Sequence, residues 1–330
     1  MTNIQGRQQT VHHASSRLSE APLVSAILCT RNRPEDLARC LPTLLANDYE
    51  NFEIVIVDQS TNDASRAVVE QFHEPVIRYV ASSLEGKSRA VNTAVAHARS
   101  EILVMTDDDC TVPADWISRI AGNFANDPQI DIVFGALVPI PHDPCVTIVP
   151  AFLPKRRTVI RDRSAPAHRL GVGGNMAFRR AIFERVGGFD ESMGTGSTFR
   201  SADDTEFTYR ALRAGSIVVQ DPEITAEHWG AREFAGGGGA RLICDGYFGV
   251  GASYARHARL GDALAAFHLA REIVGGTIEM GRNLHHREGI RIGRRLAWLA
   301  LGAMRGLVGK PSVQIDRVRN AAPATRGVSG

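Results

Sequence analysis

The chain has 330 residues, 44% of them hydrophobic and 22% charged, with a formal net charge of +2. Those values exclude a disordered chain and a strongly basic nucleic-acid binder, and they suit one large α/β domain with an appendage. Five cysteines, odd in number and without paired spacing, argue against a disulfide framework or a zinc site.

Residues 1–22 are polar, lack the apolar core of a signal peptide and read as a flexible tail. Val24 to Thr30 is a short apolar run that Arg31-Asn32-Arg33-Pro34 breaks. Pro34 then starts a helix with Leu37, Leu41, Leu44 and Leu45 on one face. A second buried strand, Phe52 to Val57, ends at the polar loop Asp58 to Asp63, before a helical pattern from about Asp63 to Phe72. A third runs from Val76 to Val80 and is followed by Glu85-Gly86-Lys87-Ser88-Arg89 and a helix to about Ala98. Alternation of strand and helix predicts a parallel, doubly wound sheet. Lys87 and Arg89 suit a diphosphate at a helix N-terminus, where backbone N–H groups favour anions; the plainer alternative is a turn with solvated charges.

The fourth strand, from Ile102, runs straight into Asp107-Asp108-Asp109. Three adjacent carboxylates repel one another unless a cation or a set of donors absorbs their charge. Hard oxygen ligands at a strand's carboxyl end point to Mg²⁺ or Mn²⁺; the competing reading is an acidic turn with Asp109 capping a helix. From Pro139 to Leu170 the pattern is irregular and proline-rich, with Lys155-Arg156-Arg157 and Arg161-Asp162-Arg163 inside it, and it reads as a lid. A helix from Asp203 to Ala214 ends at Gly215. Asp203 with Glu206, and Ser201 with Asp204, have capping-box spacing, which competes with a chemical role for the acidic pair. His228 follows the strand Ser216 to Gln220. It is a candidate metal ligand or a supporting donor beside one, against the alternative of a satisfied structural histidine.

In order, Cys29-Thr30-Arg31-Asn32-Arg33, Asp58-x-Ser60-x-x-Asp63, Gly86-x-x-x-Ala90-x-Asn92-x-Ala94 and Asp107-Asp108-Asp109 are followed by three further motifs. These are Gly173-Gly174-Asn175-Met176-Ala177-Phe178-Arg179-Arg180, Gly187-Gly188-Phe189-Asp190-Glu191 and Asp203-Asp204-x-Glu206-Phe207-x-x-Arg210. This series, over about residues 23–230, resembles the family 2 glycosyltransferases of inverting type. The resemblance implies the GT-A fold, a Rossmann-like, mostly parallel sheet flanked by helices. It also implies a nucleotide diphosphate sugar as donor, UDP- first, with GDP- or dTDP- as alternatives. Thr30 and Arg31 would then lie beside the nucleotide, with Asp58 on the base or ribose and Lys87 on the diphosphate. Asp107 and Asp109 would match the ends of the family's Asp-x-Asp motif, with Asp109 the direct metal ligand, Asp107 shared with the ribose and Asp108 supporting. Asp204 would be the general base, with Asp203 second, in the place where the family usually carries Glu. Asn175 and Arg179 would form the acceptor-side wall.

Residues 231–330 hold 15 Lys and Arg against 7 Asp and Glu. They open on a glycine hinge, Gly236 to Gly239, and predict helices near 246–260, 262–280 and 290–307. The last carries an apolar run, Leu296 to Met304, flanked by Arg291, Arg294, Arg295 and Arg305. That run is too short to span a bilayer but suits its interface, against the alternative of a packing arm or dimer contact. The expectation is therefore a metal-dependent hexosyltransferase of cell-surface polysaccharide or glycolipid assembly. It would act in the cytoplasm, with peripheral contact to an anionic membrane, on a glycan or lipid-linked acceptor, and without nucleic acid. A non-catalytic glycan- or nucleotide-binding protein of the same fold and a sugar nucleotidyltransferase are the alternatives.

Overall fold

The computed structural model describes residues 21–283 and 287–309. Most of the expected 1–22 tail, and the chain after 309, lie outside the described residues. Strand and helix alternate at first: β1 (Val24–Thr30), α1 (Pro34–Leu45), β2 (Phe52–Asp58), α2 (Ala64–Glu70), β3 (Ile77–Ala81), α3 (Lys87–His97) and β4 (Ile102–Asp107). Then follow β5 (Cys110–Thr111), α4 (Trp116–Asn126), β6 (Ile130–Pro139), β7 (Thr147–Ile148), β8 (Thr158–Ile160), β9 (Asn175–Arg179), α5 (Ala181–Val186), α6 (Asp203–Arg213), β10 (Ile217–His228) and β11 (Arg232–Glu233). Three helices close the chain: α7 (Gly238–Arg259), α8 (Ala263–Arg282) and α9 (Arg287–Val308).

The main sheet has the order β3-β2-β1-β4-β9-β6-β10-β5, with β8 added on β10. β1 is parallel to β2 and β4, β2 to β3, and β6 to β10, while β9 runs antiparallel between β4 and β6. Continuous apolar runs fit strands covered on both faces. On one face Leu37 and Leu41 of α1 pack with Trp116, Ile120 and Phe124 of α4. On the other, Val91 and Val95 of α3 meet Phe178 and Phe207. This is the mostly parallel, helix-flanked α/β sheet that the sequence predicts. β1 has β2 on one side and β4 on the other, so the strand order reverses beside it, and ligands bind outside the carboxyl ends of such strands. The register brings Thr30 opposite Asp58 and Cys29 opposite Asp107, so both acidic strand ends open on that edge.

The helix expected from residue 246 begins eight residues earlier, at Gly238, so half of the predicted hinge is helical. α7 is fastened to the sheet domain by buried contacts: Arg256 to Asp190 at 2.9 Å and His257 Nε2 to Glu206 Oε1 at 3.1 Å. α7 and α9 cross at glycines. A Cβ on Gly302 would lie 2.0 Å from the Phe248 carbonyl oxygen, and one on Gly251 2.1 Å from that of Leu299. Backbone cannot yield as a flexible side chain does, so Gly302→Ala is expected to destabilise the fold by about 1–3 kcal/mol. Thermal unfolding checks this against Gly275→Ala in α8, where a Cβ meets nothing within 4 Å and helix propensity favours alanine.

Candidate active site

The edge beyond the carboxyl ends of the strands is built from loops that follow β1, β2 and β3. The Asp58 carboxylate accepts the Ser60 N–H at 2.7 Å and the Tyr79 hydroxyl at 2.6 Å. The Gln59 side chain clamps the loop before α3, donating to the carbonyls of Leu84 and Gly86 and accepting the Gly86 N–H at 3.2 Å. Gly86, at φ 119°, takes a backbone conformation that side chains disfavour. Directly after it the Lys87 ammonium reaches Asp107 Oδ1 at 2.5 Å. Burial opposes that charge, but Asp107 and Asp203 outweigh it and hold the ammonium well above its ordinary range.

The three adjacent carboxylates are absorbed by cations and donors. Thr30 donates to Asp108 Oδ2 at 2.8 Å, and Arg33 to Asp108 Oδ1 at 3.0 Å and Asp109 Oδ2 at 3.3 Å. Arg232 reaches Asp109 Oδ2 at 3.4 Å, and His228 Nε2 lies 3.4 Å from Asp109 Oδ1. Burial pushes Asp108 up to about 6 in spite of Arg33. Asp109 caps no helix, since β5 follows it directly.

Asp109, Cys110 and His228 offer ligand atoms within 4.8 Å of one another. Burial drives the Cys110 thiol far above its ordinary range, so it stays protonated and is a poor partner for a hard ion. The hard oxygen of Asp109 beside the His228 imidazole does suit Mg²⁺ or Mn²⁺, whereas Asp107 lies outside this group. Gly230 leaves the room for the ion: a Cβ there would fall 2.3 Å from Asp109 Oδ2 and 2.5 Å from His228 Cε1. The Gly230 N–H donates to His228 Nδ1 at 3.0 Å, which leaves the ring proton on Nε2, facing Asp109. Ligation through Nε2 therefore requires the ring to release that amide.

The acidic pair opens α6. Asp203 is buried and its Oδ2 has no partner among the described residues. Burial lifts its carboxyl above the usual range, Lys87 opposes this and Asp204 adds to it. Asp204 is half-buried, accepting the Gly173 N–H on Oδ2 at 2.7 Å and the Thr205 N–H on Oδ1 at 2.6 Å. The capping box does not form: Ala202, the residue before α6, has no polar side chain to cap it, and Glu206 turns to Arg210 instead. Ala202, immediately before the pair, is buried at φ 63°, a left-handed conformation that costs a non-glycine residue about 1–2 kcal/mol. Gly173 and Gly174 lie between the pair and the triplet. A Cβ on Gly173 would be 3.6 Å from Asp204 Oδ2, and one on Gly174 3.1 Å from Asp107 Oδ2.

Thr30, Asp58, Lys87, Asp107, Asp108, Asp109, Asp203, Asp204 and His228 thus share one edge, with Arg31 at its rim, paired to Glu85. Two expected residues do not. Asn175 is buried, its amide donating to the carbonyls of Ala136 and Ile224 and accepting from Trp116 Nε1, so every polar atom serves the fold. Arg179 pairs with Ile102, at the far end of β4, where it donates to the carbonyls of Ile130 and Phe124. Neither forms an acceptor wall. The charged half of the expected lid is also displaced: Thr158–Ile160 pair with the end of β10 remote from His228, and Arg157 lies 3.7 Å from Asp221. Sequence reasoning gave no site role to Tyr79, Gln59, Arg33 or Arg232. Only Arg33 carried a signal, its place in the first motif.

Residues 25–187 match the family described as glycosyl transferase family 2. Over 218 residues the chain is 28% identical to a glucosyl-dolichyl phosphate glucuronosyltransferase of Haloferax volcanii, covering 62% of this chain and 68% of that protein. It is 24% identical over 239 residues to the probable glycosyltransferase YdaM of Bacillus subtilis, covering 65% of this chain and 54% of the relative. The fold is similar to that of the mannosyltransferase PcManGT from Pyrobaculum calidifontis, solved with GDP-Man and Mn²⁺. The TM-score is 0.60, with 20% identity and 88% of each chain covered.

Proposed function

Because residues 25–187 match glycosyl transferase family 2, we propose that the chain moves a sugar from a nucleoside diphosphate sugar to an acceptor hydroxyl, with inversion and with Mg²⁺ or Mn²⁺. One observation carries this reading: Asp204 and Asp107 flank the Gly173–Gly174 step, so a carboxylate stands on each side of two residues that carry no side chain. Asp58, oriented by Tyr79 and Ser60, receives the nucleoside. Asp109, with His228 turned to release Gly230, would hold the ion. When bound, the ion neutralises charge on the departing diphosphate. Lys87, Arg33 and Arg232 are the cations that face the same phosphates, and Thr30 holds Asp108 aside from them. Asp204 takes the acceptor's proton, the step that strengthens the hydroxyl as a nucleophile.

The donor is a UDP-sugar in the first instance, with GDP and dTDP as the alternatives. The acceptor is a glycan or lipid-linked sugar of cell-surface assembly, a reading supported by the dolichyl phosphate in the name of the Haloferax relative. Five free cysteines among the described residues support a reducing, cytoplasmic setting. Among those residues no helix is long and apolar enough to cross a membrane.

Thermal unfolding with UDP, GDP and dTDP, each with Mn²⁺ and again with chelator, tests the reading. One diphosphate should raise the melting temperature only with metal, by about 2.7 kcal/mol of stabilisation at one hundred times its dissociation constant. Gly230→Ala, which presses on Asp109 and His228, should lose the metal-dependent part of that shift. A shift unchanged by chelator would overturn the metal assignment, and no shift with any nucleotide would overturn the donor site.

A further inference from the structure

We propose that α9 binds an anionic membrane surface, laying an exposed apolar stripe edged by arginines on the lipid. Ile290, Arg294, Ala297, Leu301, Met304 and Val308 follow one another at steps of three or four residues, the spacing of one helix face. All are exposed: Ile290 by 70%, Met304 by 59% and Val308 by 81%. The opposite face is fully used, since Ile292, Leu299 and Ala303 are buried and Gly302 and Gly306 press on the backbone of α7. The apolar stripe is therefore not a by-product of packing within the fold.

Charge indicates what the stripe meets. Arg291, Arg294, Arg295 and Arg305 line or flank it, and the sole acid of α9, Glu288, lies 3.5 Å from Arg291 and 4.0 Å from Arg295. A helix with this pattern lies in the headgroup region, its arginines drawn to anionic lipid. The preceding helix repeats the pattern on a smaller scale, with Phe267, Val274 and Ile278 exposed on one helix face and Arg271 among them. A cleft of about 330 Å³ opens on the same stripe, lined by Leu301, Arg305 and Val308 from α9 and by Phe199, Arg200 and Phe248 opposite. Its far wall continues into the loop whose Thr195 carbonyl accepts the Lys87 N–H, at the proposed donor site. That an acceptor reaches the site from the membrane rests on the proposed function; the membrane contact itself does not.

Sedimentation of the full chain with vesicles tests the proposal, using phosphatidylcholine alone and phosphatidylcholine mixed with phosphatidylglycerol. The expected result is binding at least about tenfold stronger to the mixed vesicles. It should fall by about tenfold both in Met304→Glu/Val308→Glu and in Arg291→Gln/Arg294→Gln/Arg305→Gln. All these side chains are exposed, so melting temperatures should stay at the wild-type value and certify the folds. No preference for anionic vesicles, or unchanged binding by both variants, would overturn the proposal. So would a concentration-dependent dimer that Met304→Glu/Val308→Glu dissolves without altering vesicle binding, which would make the stripe an interface between copies. The nucleotide melting shift, read on the same samples, reports the donor site separately.

Discussion

Asp204→Asn is expected to lower kcat by about 10²–10⁴-fold, the usual contribution of a general base, while donor binding with metal stays at the wild-type level. The amide is nearly isosteric with the carboxylate. Its carbonyl oxygen can still accept the Gly173 N–H that orients the side chain at 2.7 Å, while the amide nitrogen gives up the Thr205 N–H, so the variant should keep its fold with one backbone contact fewer and lose proton acceptance. Asp203 is the necessary comparison. It is buried, lacks a partner on Oδ2 and lies in the field of Lys87, whereas Asp204 is the half-buried member that an acceptor can reach. Asp203→Asn should therefore disturb Lys87, and with it donor affinity, more than the proton-transfer step. Single-turnover transfer and the nucleotide melting shift, measured on both variants, separate these effects. Normal transfer by Asp204→Asn with a lost reaction in Asp203→Asn would exchange the two roles.

Much of this site was legible because the chemistry-bearing residues sit at the ends of strands whose apolar runs are hard to misread. β1, β2 and β4 are buried on both faces, and the acids at 58 and 107–109 mark where the runs of β2 and β4 end. Partners supplied by distant chain were not legible. Arg232 meets Asp109 across 123 positions, and in sequence it looks like any solvated arginine. Arg179 was misplaced for a different reason. Residues 173–180 combine a site element, Gly173-Gly174, with a strand that carries its later residues away along β4, and periodicity does not reveal that β9 runs antiparallel. The strand expected over Ser216 to Gln220 continues instead to His228, past a register irregularity between Asp221 and Thr225. Without that continuation the histidine would not reach Asp109.

The motif Gly187-Gly188-Phe189-Asp190 touches neither strand ends nor acidic pair, yet a second large effect is expected from its anchor. Arg210 is fully buried, donating to both oxygens of Glu206 at 2.8 Å and to the carbonyls of Val186 at 2.5 Å, Gly187 at 3.2 Å and Gly188 at 2.7 Å. Arg210→Met leaves a buried carboxylate with His257 alone and three carbonyls without their donor, and should destabilise the protein by about 3–5 kcal/mol at neutral pH. The pH dependence gives the prediction a sign. Burial alone would raise Glu206, but Arg210 and His257 hold it at about 2, below its ordinary 4.5. Its stabilising contribution in the wild type is thus complete above about pH 4.5 and fades as pH falls towards 2. In Arg210→Met the same carboxyl is penalised by burial, so lowering the pH from 7 to 5 should narrow the gap to wild type rather than widen it. Urea unfolding at the two pH values checks this, and Glu206→Gln/Arg210→Met should recover part of the loss because no buried charge remains. A single variant within about 1 kcal/mol of wild type would sink the argument. The effect should also reach the donor site. Asn92 clamps Phe189 through bonds of 2.9 and 2.8 Å, and the chain that follows supplies the Met193 and Thr195 carbonyls on which Ser88 and Lys87 of α3 rest. When the anchor is lost, the nucleotide melting shift should weaken together with stability, although Arg210 itself lies at no strand end of the site.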